Sequence, residues 1–161
     1  GIRDTARYRG IGDVYKRQNQ FDKVEIVRIE HPDKSDDALI EMKEHIKGIL
    51  IDLKLDFRIL NLCAGDLGFT SSITYDFEVF SKGQEKWLEI SSVSNFKTYQ
   101  SNRLNLKFKD KNGKNYTLHT LNGSSLALPR VMAGLIENNQ SENGIIIPDV
   151  LVPYTGFDLI N

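Results

Sequence analysis

The run Lys23 to Glu30 (KVEIVRIE) places Val24, Ile26, Val27 and Ile29 on both sides of an extended chain, the pattern of an interior β-strand, with Glu25 inside it. His31-Pro32 ends the run. Ser35 then stands where a helix cap is needed, and Asp36 and Asp37 in the first turn suit the positive end of the dipole. Leu39, Met42, Ile46, Ile49, Leu50 and Leu53 recur at helical spacing and form the buried stripe of that helix. Further strands are predicted at Phe57 to Leu62, Tyr75 to Phe80 and Trp87 to Ser92. Leu104, Leu106 and Phe108 alternate with polar residues, Asn112-Gly113 offers a two-residue turn, and Tyr116, Leu118 and Thr120 alternate on the return, which predicts a hairpin. The last long element is a helix with Leu128, Val131, Met132, Leu135 and Ile136 on one face and Pro129 in its first turn.

Strands in sequence with helices between them describe an α+β fold, an antiparallel sheet flanked by helices. With 161 residues, 40% hydrophobic and 27% charged, the chain can bury a core of useful depth. Residues 1–18 differ in character from the rest: they carry several arginines and no sustained periodicity, and they read as foreign or frame-damaged sequence. Residues 19–161 show no linker-like stretch and read as one unit. Lys+Arg 21 against Asp+Glu 22 leave a net charge of -1, so no diffuse basic field surrounds the molecule as a whole. Cys63 stands alone, which excludes an internal disulfide and a cysteine-rich zinc site. No apolar run approaches the roughly 20 residues of a membrane span, and a cytoplasmic location is the expectation.

Several residues draw attention on chemistry alone. Glu25 is an acid in an apolar strand, where an unpaired carboxylate costs several kcal/mol; a sheet carboxylate paired with a cation satisfies the pattern equally well. Glu89 and Ser92 are oxygen donors of the kind a hard divalent cation takes, but residues three apart in a regular strand face opposite sides. Both reach one ion only if the strand bends or bulges after Glu89. On composition alone the commoner reading of this run is a solvated, hydroxyl-rich strand end. Arg130 falls in the first turn of a helix, where the dipole repels a cation and attracts an anion, so a bound anion explains it better than helix stability does. Asn122, Gly123 and Ser124 precede that helix as a turn, with Gly123 permitting close backbone approach.

Leu88-Glu89-Ile90-Ser91-Ser92-Val93-Ser94-Asn95-Phe96 and Leu121-Asn122-Gly123-Ser124-Ser125-Leu126-Ala127-Leu128-Pro129-Arg130, in that order, resemble the ATP- and serine-binding segments of the seryl-tRNA synthetase family, a class II aminoacyl-tRNA synthetase family. The resemblance runs from about Gln20 to the end of the chain. It implies that residues 19–161 are a C-terminal part of a class II catalytic domain and that the activity is serine–tRNA ligation through seryl-adenylate. By the same resemblance Arg17, Gln18, Phe21, Glu89, Ile90, Ser91, Ser92 and Arg130 contact ATP. Phe21 stacks on adenine, and Arg130, the arginine of motif 3, clamps the γ-phosphate and is the catalytic residue. Glu25, Asn122 and Ser124 hold L-serine, while Glu89 and Ser92 ligate the Mg2+ that accompanies ATP. Asp76 and Glu78 receive no role. Asn19 stands where the family has histidine, and Asn102, in Gln100-Ser101-Asn102-Arg103, where it has arginine.

The resemblance further implies tRNA-Ser as partner and a homodimer in the full-length family. The tRNA-gripping helical arm, the dimer-forming motif 1 and the first arginine of motif 2 are expected upstream of Phe21, so that the chain by itself is expected to be inactive. A non-catalytic module that keeps the ATP and serine pockets is the alternative reading.

Overall fold

The computed structural model describes residues 20–161. Its main layer is a five-stranded, wholly antiparallel sheet in the order β1-β7-β4-β3-β2, built from β1 (Lys23–Glu30), β2 (Phe57–Asn61), β3 (Ile73–Ser81), β4 (Lys86–Asn95) and β7 (His119–Ala127). Helix α1 (Ser35–Asp52) lies across one face. A short helix α2 (Tyr99–Leu104) leads into a separate two-stranded ribbon, β5 (Lys107–Lys109) and β6 (Asn115–Thr117). Helix α3 (Leu128–Asn138) follows β7 directly. A small sheet of β8 (Gln140–Ser141), β9 (Gly144–Ile146) and β10 (Leu159–Ile160), with the single turn α4 (Val152–Thr155), completes the described chain. No helix among the described residues is long and apolar enough to cross a membrane.

The alternation of side chains divides the sheet into two unlike faces. Phe77 and Val79 of β3, Val93 of β4 and Leu121 of β7 share the face toward α1, where Leu39, Met42, Ile46 and Leu50 meet them in one buried cluster. The opposite face carries Thr74, Asp76 and Glu78 of β3, Ser92 and Ser94 of β4, Asn122 and Ser124 of β7, and Glu25 of β1. Their cross-strand partnerships fix this: Asp76 lies opposite Ser92, Ser94 opposite Asn122, and Ser124 opposite Glu25. The apolar face makes the core and the polar face is available for chemistry.

Two irregularities shape the polar face. In β4, Ser91 pairs with Phe77 and Glu89 with Glu78, so Ile90 is an extra residue and forms a β-bulge. In β7, Ser125 and Leu126 together oppose Val24, and Leu126 adopts φ 98, a left-handed conformation that a leucine takes only under strain.

Several expectations need correction. β1 is an edge strand with β7 as its only partner among the described residues, and Val24, Val27 and Ile29 are exposed; an apolar pattern on both faces does not reveal whether anything covers them. Ser35 is not a cap but the buried first residue of α1. Its Oγ lies 2.7 Å from His119 Nδ1 and accepts a hydrogen bond from Asn95 Nδ2, while the His31 side chain caps the 3-10 turn Pro32–Lys34. The hairpin is shorter than its alternation suggests. Asn105, at φ 52, ends α2 after Leu104, and the loop from Asp110 to Lys114 is longer than two residues, held by the Asp110 carboxylate, which accepts the N–H groups of Asn112 and Lys114. The Asn122-Gly123-Ser124 segment is interior strand rather than turn. On α3 only Val131 of the five expected apolar residues is fully buried; Leu128, Met132 and Ile136 form an exposed stripe.

Candidate functional site

β4 and β7 pair only from Val93 to Asn95, opposite Gly123 to Leu121, and then separate. Beyond that point Ser91 Oγ bridges the gap by donating to the carbonyl of Ser124 at 2.5 Å. The N-terminus of α3 rises from the same end of β7. The result is a cleft of about 150 Å³ between the diverging strands, lined by Phe21, Lys23, Glu89, Ile90, Ser91, Ser124, Ala127 and Arg130. Phe21, Glu89, Ile90, Ser91, Ser124 and Arg130 are thereby brought together from four separate parts of the chain.

Gly123 is the reason the strands come close enough before they part. A Cβ on it would lie 2.8 Å from Val93 Cγ2 and 2.9 Å from the Ser92 carbonyl oxygen, inside any normal contact. The expected close backbone approach is real, and its partner is β4.

The Ile90 bulge resolves the spacing of Glu89 and Ser92. Because Glu89 lies opposite Glu78 and Ser92 opposite Asp76, and Asp76 and Glu78 are two apart on one strand, all four side chains occupy one face. Asp76 is a member of this group that its sequence context did not reveal: two acids at i, i+2 look like a solvated strand, and only the cross-strand register puts them beside Glu89 and Ser92. Burial raises the Asp76 carboxyl pKa, helped by the charges of Glu78 and Asp66, while a hydrogen bond from Ser92 opposes the shift. Its Oδ1 is out of solvent and has no hydrogen-bond partner among the described residues, an arrangement that costs on the order of 1–3 kcal/mol. Glu89 keeps contact with solvent, yet loss of hydration raises its pKa too, with the Asp76 charge adding to the effect and Arg130 working against it.

Arg130, the third residue of α3, uses one donor of its guanidinium: Nη1 donates to the carbonyl oxygen of Glu89 at 2.5 Å. It therefore has a protein partner as well as a place at the positive end of a helix. The remaining donors have no partner among the described residues. Lys23, a second cation in the cleft, pairs with Glu25 at 2.7 Å. Glu25 is thus exposed and paired, not buried within an apolar strand, and the desolvation argument for it falls away. Its place opposite Ser124, with Asn122 two residues along on the same face, remains. Arg17 and Gln18 lie outside the described residues.

A carboxylate and a hydroxyl on one face, with the orphaned buried carboxylate oxygen of Asp76 beside them, suit a hard, oxygen-liganded cation shared with phosphate, while Glu78 is held in an ion pair by Arg58 at 2.5 Å. No cluster of three or more His, Cys, Asp or Glu among the described residues forms a cage of its own. An aromatic ring, two cations and a helix N-terminus around the same cleft suit a nucleoside polyphosphate.

Residues 7–139 match the family described as the tRNA synthetase class II core domain (G, H, P, S and T). The chain is 51% identical over 141 residues to the serine–tRNA ligase of Acidovorax sp. (strain JS42), a match that covers 87% of this chain and 32% of that protein. Among solved structures it is similar to seryl-tRNA synthetase from Pyrococcus horikoshii complexed with ATP, at 34% identity and a TM-score of 0.86, covering 91% of this chain and 34% of that one. It is also similar to the cytoplasmic serine–tRNA ligase of Naegleria fowleri in complex with AMP, at 29% identity and a TM-score of 0.83, covering 91% and 32%. The chain spans about a third of the length of the relatives it matches.

Proposed function

The chain belongs to the tRNA synthetase class II core domain family, and on that premise we propose that it forms the ATP- and serine-binding part of a serine–tRNA ligase. The Ile90 bulge carries this reading, because it sets Glu89 and Ser92 on the face that also bears Glu25, Asn122 and Ser124. The relatives solved with ATP and AMP support a nucleotide in the cleft.

In the proposed reaction a carboxylate oxygen of serine attacks the α-phosphorus of ATP, pyrophosphate leaves, and seryl-adenylate forms. The 3′-hydroxyl of the terminal adenosine of tRNA-Ser then takes the seryl group and AMP departs. No covalent bond to the protein is needed, so the protein's part is positioning and charge stabilisation. Phe21 offers its ring to adenine. Arg130, freed from the Glu89 carbonyl or sharing its fork with it, takes the γ-phosphate, for which planar bidentate donors are suited. Glu25 accepts a hydrogen bond from the hydroxyl of serine, with Asn122 and Ser124 orienting its polar groups. Glu89 and Ser92 would hold Mg2+, which would supply charge neutralisation to the phosphates. Asp76 accepts from Ser92 and keeps that hydroxyl aimed. A cytoplasmic site of action and a homodimer of the whole protein belong to the same reading.

The test is calorimetric binding of non-hydrolysable aminoacyl-adenylate analogues. The seryl analogue is expected to bind more tightly than the glycyl, threonyl, histidyl and prolyl ones, and a preference for any of these would overturn the assignment to serine.

A further inference from the structure

Charge is distributed unevenly along this chain. Between Lys97 and Thr117 stand six basic residues and one acidic one, a net charge of +5, leaving −6 for everything else in a chain whose total is −1. The single acid, Asp110, is engaged with the backbone N–H groups of Asn112 and Lys114. It closes the loop of the β5–β6 ribbon and has no ion pair with a lysine among the described residues.

The ribbon stands apart from the main sheet and has two different faces. Lys107 lies opposite Thr117 and Lys109 opposite Asn115, so one face presents two ammonium groups with an amide and a hydroxyl. Phe108 lies opposite Tyr116 on the other face, where Tyr116 rests against His31 with ring centroids 5.1 Å apart and has Lys114 Nζ 4.8 Å from its own centroid. Tyr116 thus anchors the ribbon to the body of the protein, while Phe108 on the same face is exposed. Lys107, Lys109 and Lys111 are exposed, and none has an ion-pair partner among the described residues. Elsewhere Lys47 pairs with Glu44, Lys54 with Asp149, and Lys97 with Asp36. Three cations without an ion pair among the described residues stand on one projection, within a segment of net charge +5, and form a local positive field.

We propose that the Lys107–Thr117 ribbon is a docking surface for the phosphate backbone of an RNA stem, separate from the adenylate cleft. The choice of RNA as the polyanion rests on the serine–tRNA ligase reading. The choice of a stem rests on the ribbon itself. Bases of single strands are held by stacking on rings beside the cations, whereas here the rings lie on the face opposite Lys107 and Lys109. Stems are held through phosphate and 2′-hydroxyl contacts without base readout, which ammonium, amide and hydroxyl groups provide.

The experiment uses fluorescence anisotropy of the chain with an RNA hairpin whose stem is about 12 base pairs, a length a ribbon and its flank can track, over a series of salt concentrations. It contains neither serine nor ATP, so its outcome is independent of the adenylate chemistry. Lys107→Ser/Lys109→Ser/Lys111→Ser is expected to weaken binding about ten-fold or more and to lower the slope of log K against log salt by about 2 to 3. Lys43→Ser/Lys47→Ser/Lys54→Ser, which removes the same charge from elsewhere, is expected to change affinity less than about three-fold. Circular dichroism establishes that both variants fold. Equal losses in the two variants would reduce the effect to net charge and overturn the proposal. So would absence of stem binding, tighter binding of an unstructured oligouridine, or binding of phosphatidylserine vesicles in preference to RNA.

Discussion

The guanidinium of Arg130 is hydrogen-bonded to the carbonyl oxygen of Glu89, joining the first turn of α3 to the strand that carries the acidic face. The contact is at the surface and spans the mouth of the cleft. In a polypeptide that extends over the length of its relatives, Arg130→Ala is expected to raise the KM for ATP about ten-fold or more, the scale of one charged hydrogen bond. Thermal stability should fall by no more than about 0.5–1.5 kcal/mol, the scale of one ordinary hydrogen bond. Pyrophosphate exchange and a melting curve on the same preparation separate the two effects; lost stability with normal ATP kinetics would assign Arg130 to structure.

Glu25 sits across from Ser124 and is held by Lys23. Glu25→Ala is expected to lower the preference for serine over alanine by orders of magnitude, because polar recognition of a hydroxyl discriminates far more strongly than apolar contact. Adenylate formation with each amino acid measures this.

Gly123→Ala should destabilise the fold by about 1–3 kcal/mol, the range for overpacking. Adding Val93→Ala should recover little, since the Ser92 carbonyl oxygen, 2.9 Å from the new methyl group, is backbone and stays in place. Urea titrations of the single and double variants decide it. Full recovery in the double variant would place the whole clash on the valine side chain.

Glu89 and Asp76 both have raised pKa values. A carboxylate must be ionised to hold a cation, so cation-dependent nucleotide binding is expected to fade on acidification at a higher pH than an ordinary glutamate, near 4.3, would give. Asp76→Asn removes a negative neighbour, eases ionisation of Glu89, and should move that midpoint to lower pH. Mn2+ paramagnetic resonance in the presence of an ATP analogue, followed against pH, reads the midpoint directly.

His119 has a lowered pKa, from burial first and the Lys97 charge second, and lies beside the Ser35 hydroxyl. A histidine whose folded-state pKa is depressed takes up protons more readily when unfolded. Stability should therefore fall as the pH drops through the unfolded value, about 6.5, and be fully retained above it. In His119→Asn, which keeps an acceptor near the position of Nδ1, the part of the decline between about pH 7 and 5 that comes from this ring should vanish. Asp36, depressed by its bond to Lys97, acts in the same sense at lower pH, its contribution being lost as the pH falls below the unfolded aspartate value and through the folded one.

Much of this architecture is written in short-range pattern. The spacing from Leu39 to Leu53 is helical and no strand would use it; alternation around Phe77 and Val79 is equally plain. Arg130 stands out because a cation in the first turn of a helix is out of place there, whereas Glu25 only looks out of place in an apolar strand: at the exposed edge it is paired with Lys23. Asn122-Gly123-Ser124 misled for a physical reason: its composition is that of a turn, and only the approach of Val93 shows why a strand needs glycine there. Asp76 acquires meaning from a partner on another strand, a relationship that local sequence does not encode. The exposure of Leu128, Met132 and Ile136, and of the outer edge of β1, depends on what lies beside them in space and leaves no mark on periodicity.

The Ile90 bulge gives β4 a change of parity midway. Every residue after it points opposite to where an uninterrupted strand would send it, so Ser92 and Ser94 reach the polar face and Val93 the core. Loss of the Ile90 codon would restore regular alternation at the cost of exchanging inside for outside: either the two serines would turn into the core and Val93 toward solvent, or Glu89 would leave the group around Asp76. The grouping of Glu89 with Asp76 and Ser92 therefore depends on one supernumerary, buried hydrophobic residue, and a single in-frame deletion there would break up that group while leaving every one of its polar residues in the gene.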